Sequence, residues 1–361
     1  MGIFFNKKIK VMGLDISDTA VKVMLVERVG ENLIPKAYAE TPLSDAVINN
    51  HLIVNPQRLA ELIRRTVDKA KIKTPYVVCS LPEAKSFVRV VTLPKMAEQE
   101  IDDAIPYELE ADIPIPVDQV YLDWYILREL PDKLELLVTA TPKDYIDSLL
   151  EALHLANLRP LAMELESQAT ARALTDELTL QKTVLIVDLA TKQASFIIVD
   201  KGVIEYTSSI PLAGNALTES IAASMGVGKS DAEQMKRRLG LLSSENNNAV
   251  RSAILPILDQ IIDEIKNVVR FFEEHNADHR AIGQIILCGG TAHLLGVSDY
   301  VSTRINLGSS KSEIRVVLGS PFVKLTLPDT DELGLKKEQQ LALTTVLGLA
   351  LRDIDYEPRY T

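Results

Sequence analysis

The sequence predicts an α/β protein of two lobes, each with a duplicated β-hairpin and helix core, plus an inserted α+β subdomain. Three observations predict it. One strand–turn–strand–turn–strand pattern occurs twice, starting at Lys10 and again at Lys182. A block of unrelated pattern, roughly Pro75 to Pro160, separates the copies. The 361 residues also exceed what a single core normally holds.

Each copy opens with an apolar strand that ends in an acid, Asp15 in the first and Asp188 in the second. A small polar turn follows. A second strand (Val21–Val26, Ser195–Val199) leads to a glycine turn at Gly30 or Gly202 and then a third strand. That strand closes on Thr41-Pro42-Leu43 or Ile210-Pro211-Leu212. The block between them reads as strands Tyr76–Leu81 and Ser86–Leu93, then an acidic helix Glu98–Ala111. Pro106 lies inside that helix and is expected to kink or split it. Strands Val120–Leu127 and Leu134–Thr141 and helix Asp144–Leu155 complete a small α+β unit. After the second hairpin come helices over Ala216–Met225, Lys229–Leu239 and about Ser252–Glu274, with a loop at Asn246–Asn248. A buried strand Ile285–Leu287 then runs into Cys288-Gly289-Gly290 and a helix Leu294–Ile305. The last helix, Gln339–Leu351, carries Gly348 and Ala350, small enough for close packing.

Composition narrows the partners. The net charge of −11 disfavours nucleic acid and anionic lipid, which are bound mainly through Lys and Arg. No segment reaches the run of about 18–20 apolar residues that a membrane helix needs. The apolar stretch in the first ten residues is too short for a signal peptide. Direct membrane insertion is therefore not expected. Cys79 and Cys288 each sit in an apolar run and read as buried strand residues, which suits a reducing cytoplasm. The five histidines show no metal spacing with cysteine, and none receives a role.

A strand ending in Asp before a turn of small residues suits phosphate. Backbone N–H groups of the turn face the anion, and the carboxylate holds Mg²⁺ through its water shell. Two such turns are expected to converge on one polyphosphate. The glycines of Gly289-Gly290-Thr291 let a flat ring lie against the backbone. Gly226-Val-Gly-Lys-Ser230 resembles the end of a P-loop, but position 223 is Ala where the motif needs Gly, and the stretch links two helices. It is rejected.

In order and spacing, Asp15-Ile-Ser-Asp-Thr-Ala, Asp188-Leu-Ala-Thr and Gly289-Gly-Thr resemble the actin-like ATPase superfamily. Tyr107-Glu-Leu-Glu-Ala-Asp-Ile-Pro-Ile-Pro116 resembles an inserted-subdomain signature of the PilM family of type IV pilus assembly proteins, relatives of FtsA. Leu93-Pro94, Leu136–Pro142, Leu158-Arg-Pro160 and Leu347-Gly-Leu-Ala-Leu-Arg352 also fit, so the resemblance covers nearly the whole chain.

The resemblance implies the following organisation. Lobe 1 holds a core over 9–75, an inserted subdomain over 76–161 and a hinge helix over 162–181. Lobe 2 holds core segments 182–215 and 283–338 around a helical insertion 216–282, and a C-terminal helix 339–356 packs back on lobe 1. It implies ATP and Mg²⁺ as ligands. Asp15, Ser17, Thr19 and Lys22 would form the first phosphate loop. Asp188 would be the second-loop acid, with Asp15 and Asp188 on Mg²⁺ through water and Asp188 and Glu166 near the attacking water. Gly214 and Thr218 would lie beneath the nucleotide, Glu233 and Lys236 at ribose and base, and Gly289, Gly290 and Thr291 at the adenosine. Plainer readings stand beside these: Asp15 and Asp188 as turn caps, Glu166 as an exposed helix acid, Lys22 as a solvated strand residue. Glu233 with Lys236 also reads as a surface pair, and the paired glycines as a tight turn.

Three residues depart from the family pattern. Ala190 stands where Gly is usual, Ala194 where Thr is usual, and Pro106 lies in the inserted helix. A Cβ at 190 crowds the approach to phosphate and Ala194 lacks a hydroxyl, so slow or absent hydrolysis is expected. The implied role is a cytoplasmic ATP-binding adaptor, peripheral to the inner membrane. It would dock the N-terminal tail of a PilN-like single-pass protein and meet other pilus assembly proteins. An FtsA- or MreB-like filament-forming ATPase and a small-molecule kinase of the same fold are the alternatives.

Overall fold

The computed structural model describes residues 9–110, 113, 115–176, 179–242, 248–276, 280–307, 313–327, 333, 335 and 337–352. Two compact units emerge. The first comprises the described residues of Met1–Ala169, Thr326–Pro328 and Val346–Thr361, the second those of Thr170–Leu325 and Asp329–Thr345.

The first unit begins with a meander of β1 (Met12–Ile16), β2 (Ala20–Val29) and β3 (Asn32–Pro42). A two-stranded ribbon, β4 (Ile48–Asn49) and β5 (Leu52–Ile53), leads into helix α1 (Pro56–Lys69). Asn55 caps α1 by accepting from the Arg58 N–H at 2.9 Å, and Pro56 occupies the first turn, where a missing N–H costs nothing. Strand β6 (Tyr76–Leu81) then joins the main sheet. The inserted sheet follows, with β7 (Phe87–Pro94), helix α2 (Glu98–Leu109), β8 (Val120–Glu129) and β9 (Lys133–Pro142). Helix α3 (Lys143–Leu155), β10 (Arg159–Leu165) and the first turn of α4 (Glu166–Leu174) complete this run.

The main sheet has the order β10-β6-β1-β2-β3, with β6 parallel to β1 and β10 parallel to β6. Central parallel strands are covered on both faces, so β1 reads as an unbroken buried run. Helices α1 and α3 pack one face, through Leu59, Ile63, Leu149 and Leu153. Val11 and Val78 on the other side meet Ala169 of α4 and Leu349. The inserted sheet, β7-β9-β8, has a separate core with α2, built on Leu93, Ile101, Ile105 and Leu136. Strand Tyr76–Leu81, expected to open the inserted block, instead hydrogen-bonds to β1, and α3, expected to close it, packs on α1. The stretch expected as a hinge helix over 162–181 is strand up to Leu165 and helix only from Glu166 to Leu174. Pro106 does not split α2, which is continuous over 98–109. Ala111, Asp112 and Pro114 of the signature segment lie outside the described residues, as do Asn246, Asn247, His279 and 353–361.

The second unit repeats the plan. Strands β11 (Thr183–Leu189), β12 (Ala194–Asp200) and β13 (Val203–Ile210) form the meander. Helices α5 (Gly214–Met225), α6 (Lys229–Leu239) and α7 (Asn248–His275) follow. Then come β14 (Gln284–Cys288), α8 (Val297–Asn306), β15 (Arg315–Leu318) and α9 (Thr344–Arg352), whose residues from Val346 onward belong to the first unit. The sheet order is β13-β12-β11-β14-β15, with β14 parallel to β11 and β15 parallel to β14. Read from the meander, both units therefore have three antiparallel strands followed by two parallel ones. The β-bulge also repeats: it falls after Leu25, ten residues beyond Asp15, and after Ile198, ten beyond Asp188. Duplication thus reaches the pairing register as well as the sequence pattern. Gly226 ends α5 in a left-handed cap and Lys229 begins α6, so the rejected P-loop stretch is a helix-to-helix link.

Candidate functional site

Parallel strands β1, β6 and β10 end on one edge of the first sheet, and the polar residues gather there. Asp15 is the second-last residue of β1 and is buried. Its cross-strand neighbour on β2 is Lys22, whose Nζ lies 3.4 Å from Oδ2. On the other side Ser80 of β6 donates to Oδ1 at 3.2 Å. The turn that follows is held by Ser17, which accepts from the N–H groups of Thr19 and Ala20 at 3.4 and 3.2 Å. The Ser17 and Thr19 hydroxyl oxygens are 3.4 Å apart. The sequence groups Asp15, Ser17, Thr19 and Lys22 in one loop, where the structure also brings them together. It did not mark Ser80 or Asp18. Asp18 is buried in the same turn and accepts from the His51 N–H at 3.0 Å. Glu166 begins α4 just beyond β10, on the same edge. Burial pushes the phenol of Tyr145 up, and Glu166, Cys79, Asp18 and Asp15 add to the shift, which places these groups in one neighbourhood.

In the second unit, the parallel strands β11 and β14 end beside the start of α5. Asp188 is again the second-last residue of its strand. Past it, the turn closes with Ala190 N–H on the Gln193 carbonyl at 3.1 Å. The Ala190 carbonyl accepts from Gly214 N–H at 3.2 Å and from the Thr291 hydroxyl at 3.0 Å. The Gly214 carbonyl in turn accepts from Lys236 Nζ at 2.9 Å and from the Thr218 hydroxyl at 3.0 Å. Lys236 also lies 2.7 Å from Glu233, whose second oxygen takes Arg237 at 2.7 Å. Burial alone would raise the Glu233 carboxyl. Hydrogen bonds from Lys236, Thr218 and Arg237, with the charge of Lys236, overcome this and hold it at about 2. Lys236 is itself buried, so Glu233 and Lys236 are tied into the turn rather than forming a free surface pair.

Gly289 has φ +83, and a Cβ there would meet Asp188 and the Leu189 carbonyl. Only glycine lets the β14 turn pass so close to the acid. Gly290 is exposed, and an added Cβ there would be in ordinary contact with Ala342 at 3.8 Å. Hydrogen bonds therefore join Gly214, Thr218, Glu233, Lys236 and Thr291 into one network through the Ala190 carbonyl, and Asp188 and Gly289 lie beside each other where β11 and β14 end. Of the two departures here, Ala190 is not among the residues at positive φ, so the backbone does not require glycine. Ala194 is fully buried and pairs with Leu189 at the start of β12. Both cysteines are buried free thiols, and burial pushes each thiol up. Among the described residues no group of His, Cys, Asp and Glu could hold a metal by protein ligands alone, and no helix is long and apolar enough to cross a membrane.

Twin sheets of this order, each with an acid at the end of its first strand, define an actin-like ATPase fold. The chain belongs to the type IV pilus assembly protein PilM family, whose sequence model matches residues 13–354. A solved PilM–PilN type IV pilus biogenesis complex is similar at 24% identity, covering 97% of this chain and 100% of that one with a TM-score of 0.83. The ethanolamine utilization protein EutJ from Carboxydothermus hydrogenoformans is similar at 16% identity, covering 94% of this chain and 88% of that one, TM-score 0.56. MreB5 of Spiroplasma citri bound to ADP follows at 13% identity, with 94% of each chain covered and a TM-score of 0.55.

Proposed function

We propose that this chain is an ATP-binding adaptor of type IV pilus assembly that docks the N-terminal tail of a PilN-like inner-membrane protein on its cytoplasmic side. Family membership supports the assembly role. The observation that carries the nucleotide reading is the repeated acid-tipped turn, with its network from Ala190 through Gly214 to Lys236. Within the first unit, the hydroxyls of Ser17 and Thr19 and the cation of Lys22 suit phosphate oxygens; within the second, exposed Gly290 beside the Thr291 turn suits a flat ring.

In this reading Asp15 and Asp188 would hold Mg²⁺, which would supply neutralisation of phosphate charge. Ser17, Thr19 and Lys22 bind phosphate oxygens. Thr218, Gly214 and Thr291 shape the floor, while Glu233 and Lys236 face ribose and base. Asp188 and Glu166 orient the water for a slow hydrolysis. Slow turnover suits a switch, in which ligand affinity that differs between states carries the signal.

The outer face of the inserted sheet offers a seat for an extended tail. Val90 and Tyr125 flank Leu137 across the three strands and are 39% and 41% exposed. Beside them Tyr121 donates to Asp147 of α3 at 3.1 Å, and Lys143 lies over its ring. A short tail docks through backbone pairing and a few apolar anchors of this kind. Titration with a PilN-type tail peptide tests this: Tyr125→Ala is expected to weaken binding about tenfold. Unchanged affinity would remove this face from the docking site.

A further inference from the structure

Ser80 is the one serine or threonine in the strand Tyr76–Leu81, and it is fully buried in a run where Val77, Val78, Cys79 and Leu81 are buried too. A hydroxyl in such a run is costly unless both its hydrogen-bonding roles are used. Both are used on the site. Its proton goes to Asp15 Oδ1 at 3.2 Å, and its oxygen accepts the Ile16 N–H at 3.1 Å. Lys22 holds the other carboxylate oxygen at 3.4 Å. One donor on each oxygen fixes the plane of the carboxylate. The bond to Ile16 fixes the backbone where the chain leaves β1 for the turn. Register supports the arrangement: Leu14 pairs with Cys79, so Asp15 and Ser80 come next on neighbouring parallel strands.

We infer that Ser80 is a positioning residue, which orients Asp15 toward the metal shell of a bound magnesium–nucleotide. The inference rests on the proposed ATP site. Ser80 touches no ligand in this scheme and acts only through Asp15 and the first residue of the turn. A Ser80→Ala change should therefore damage the metal-dependent part of nucleotide binding and spare the rest.

The experiment is calorimetric titration of the full chain with ATP, once with excess Mg²⁺ and once with EDTA. The proteins are wild type, Ser80→Ala, Ser80→Thr and Asp15→Ala, with thermal melts to confirm folding. Ser80→Ala is expected to lose about tenfold in Mg²⁺–ATP affinity and less than about twofold without metal. Ser80→Thr, which keeps the hydroxyl, is expected within about threefold of wild type. If Ser80→Ala does not fold, Ser80→Cys, a poorer donor of nearly the same shape, must show the same metal-selective loss. Wild-type affinity in Ser80→Ala, or an equal loss with and without metal, overturns the inference while a weakened Asp15→Ala leaves the ATP site standing. Wild-type affinity in Asp15→Ala overturns the ATP site and the inference with it.

Discussion

At the residue scale, the Asp15 carboxylate is held between Lys22 on one neighbouring strand and Ser80 on the other. Asp15 and Asp188 were legible because a polar turn interrupts an apolar strand in the same way twice. Ser80 and Asp18 were not, because one lies in a different strand and the other looks like any turn aspartate. Only pairing of β6 with β1 brings Ser80 to Asp15. Glu233 offers a test at this scale. Its folded carboxyl is held at about 2, below the ordinary value of about 4.3. A depressed acid stabilises the fold fully above its unfolded value and loses that contribution as pH falls toward the folded one. The melting-temperature gap between wild type and Glu233→Gln is therefore expected to be constant near neutrality and to shrink from about pH 4.5 down to about pH 2. A gap that grew on acidification would refute the network. Gly289→Ala forces a Cβ into the left-handed region against Leu189 and Asp188, and should cost at least about 2 kcal/mol in chemical denaturation.

Among the elements, the meanders and most helices of the second unit were readable from periodicity. Helix α1 was missed although its signals are present: Asn55 before Pro56, then buried Leu59, Leu62, Ile63 and Thr66 at helical spacing. Strands β10 and β15 gain their identity only by pairing with β6 and β14. Pro106 was expected to kink or split α2. The helix continues through it, with Ile105 and Leu109 buried on either side, so tertiary packing overrides the local cost. Two measurements belong here. Asn55→Ala removes the cap of α1 and should lower stability by about 1 kcal/mol. Gly348 of α9 packs against the Ala169 backbone, where an added Cβ would meet the carbonyl oxygen. Gly348→Ala should destabilise by about 1–3 kcal/mol, and a neutral result would show that α9 does not pack there.

For the whole molecule, the sequence pattern gave the duplication, and the pairing register deepens it to matched sheet orders and matched bulges. How residues are shared between core and insertion was less legible, since β6 and α3 carry apolar patterns that suit either. Family membership sets the biological setting, and the turns set the chemistry proposed within it. A switch rather than a metabolic enzyme should turn ATP over well below about 10 s⁻¹, as a phosphate-release assay would read. The most direct test of the account is titration of the purified chain with Mg²⁺–ATP alongside Asp15→Ala and Asp188→Ala. We expect saturable binding in the wild type and a loss of about tenfold or more in each variant, with melts confirming that both still fold. A wild type that fails to bind, or variants that bind as it does, would contradict it.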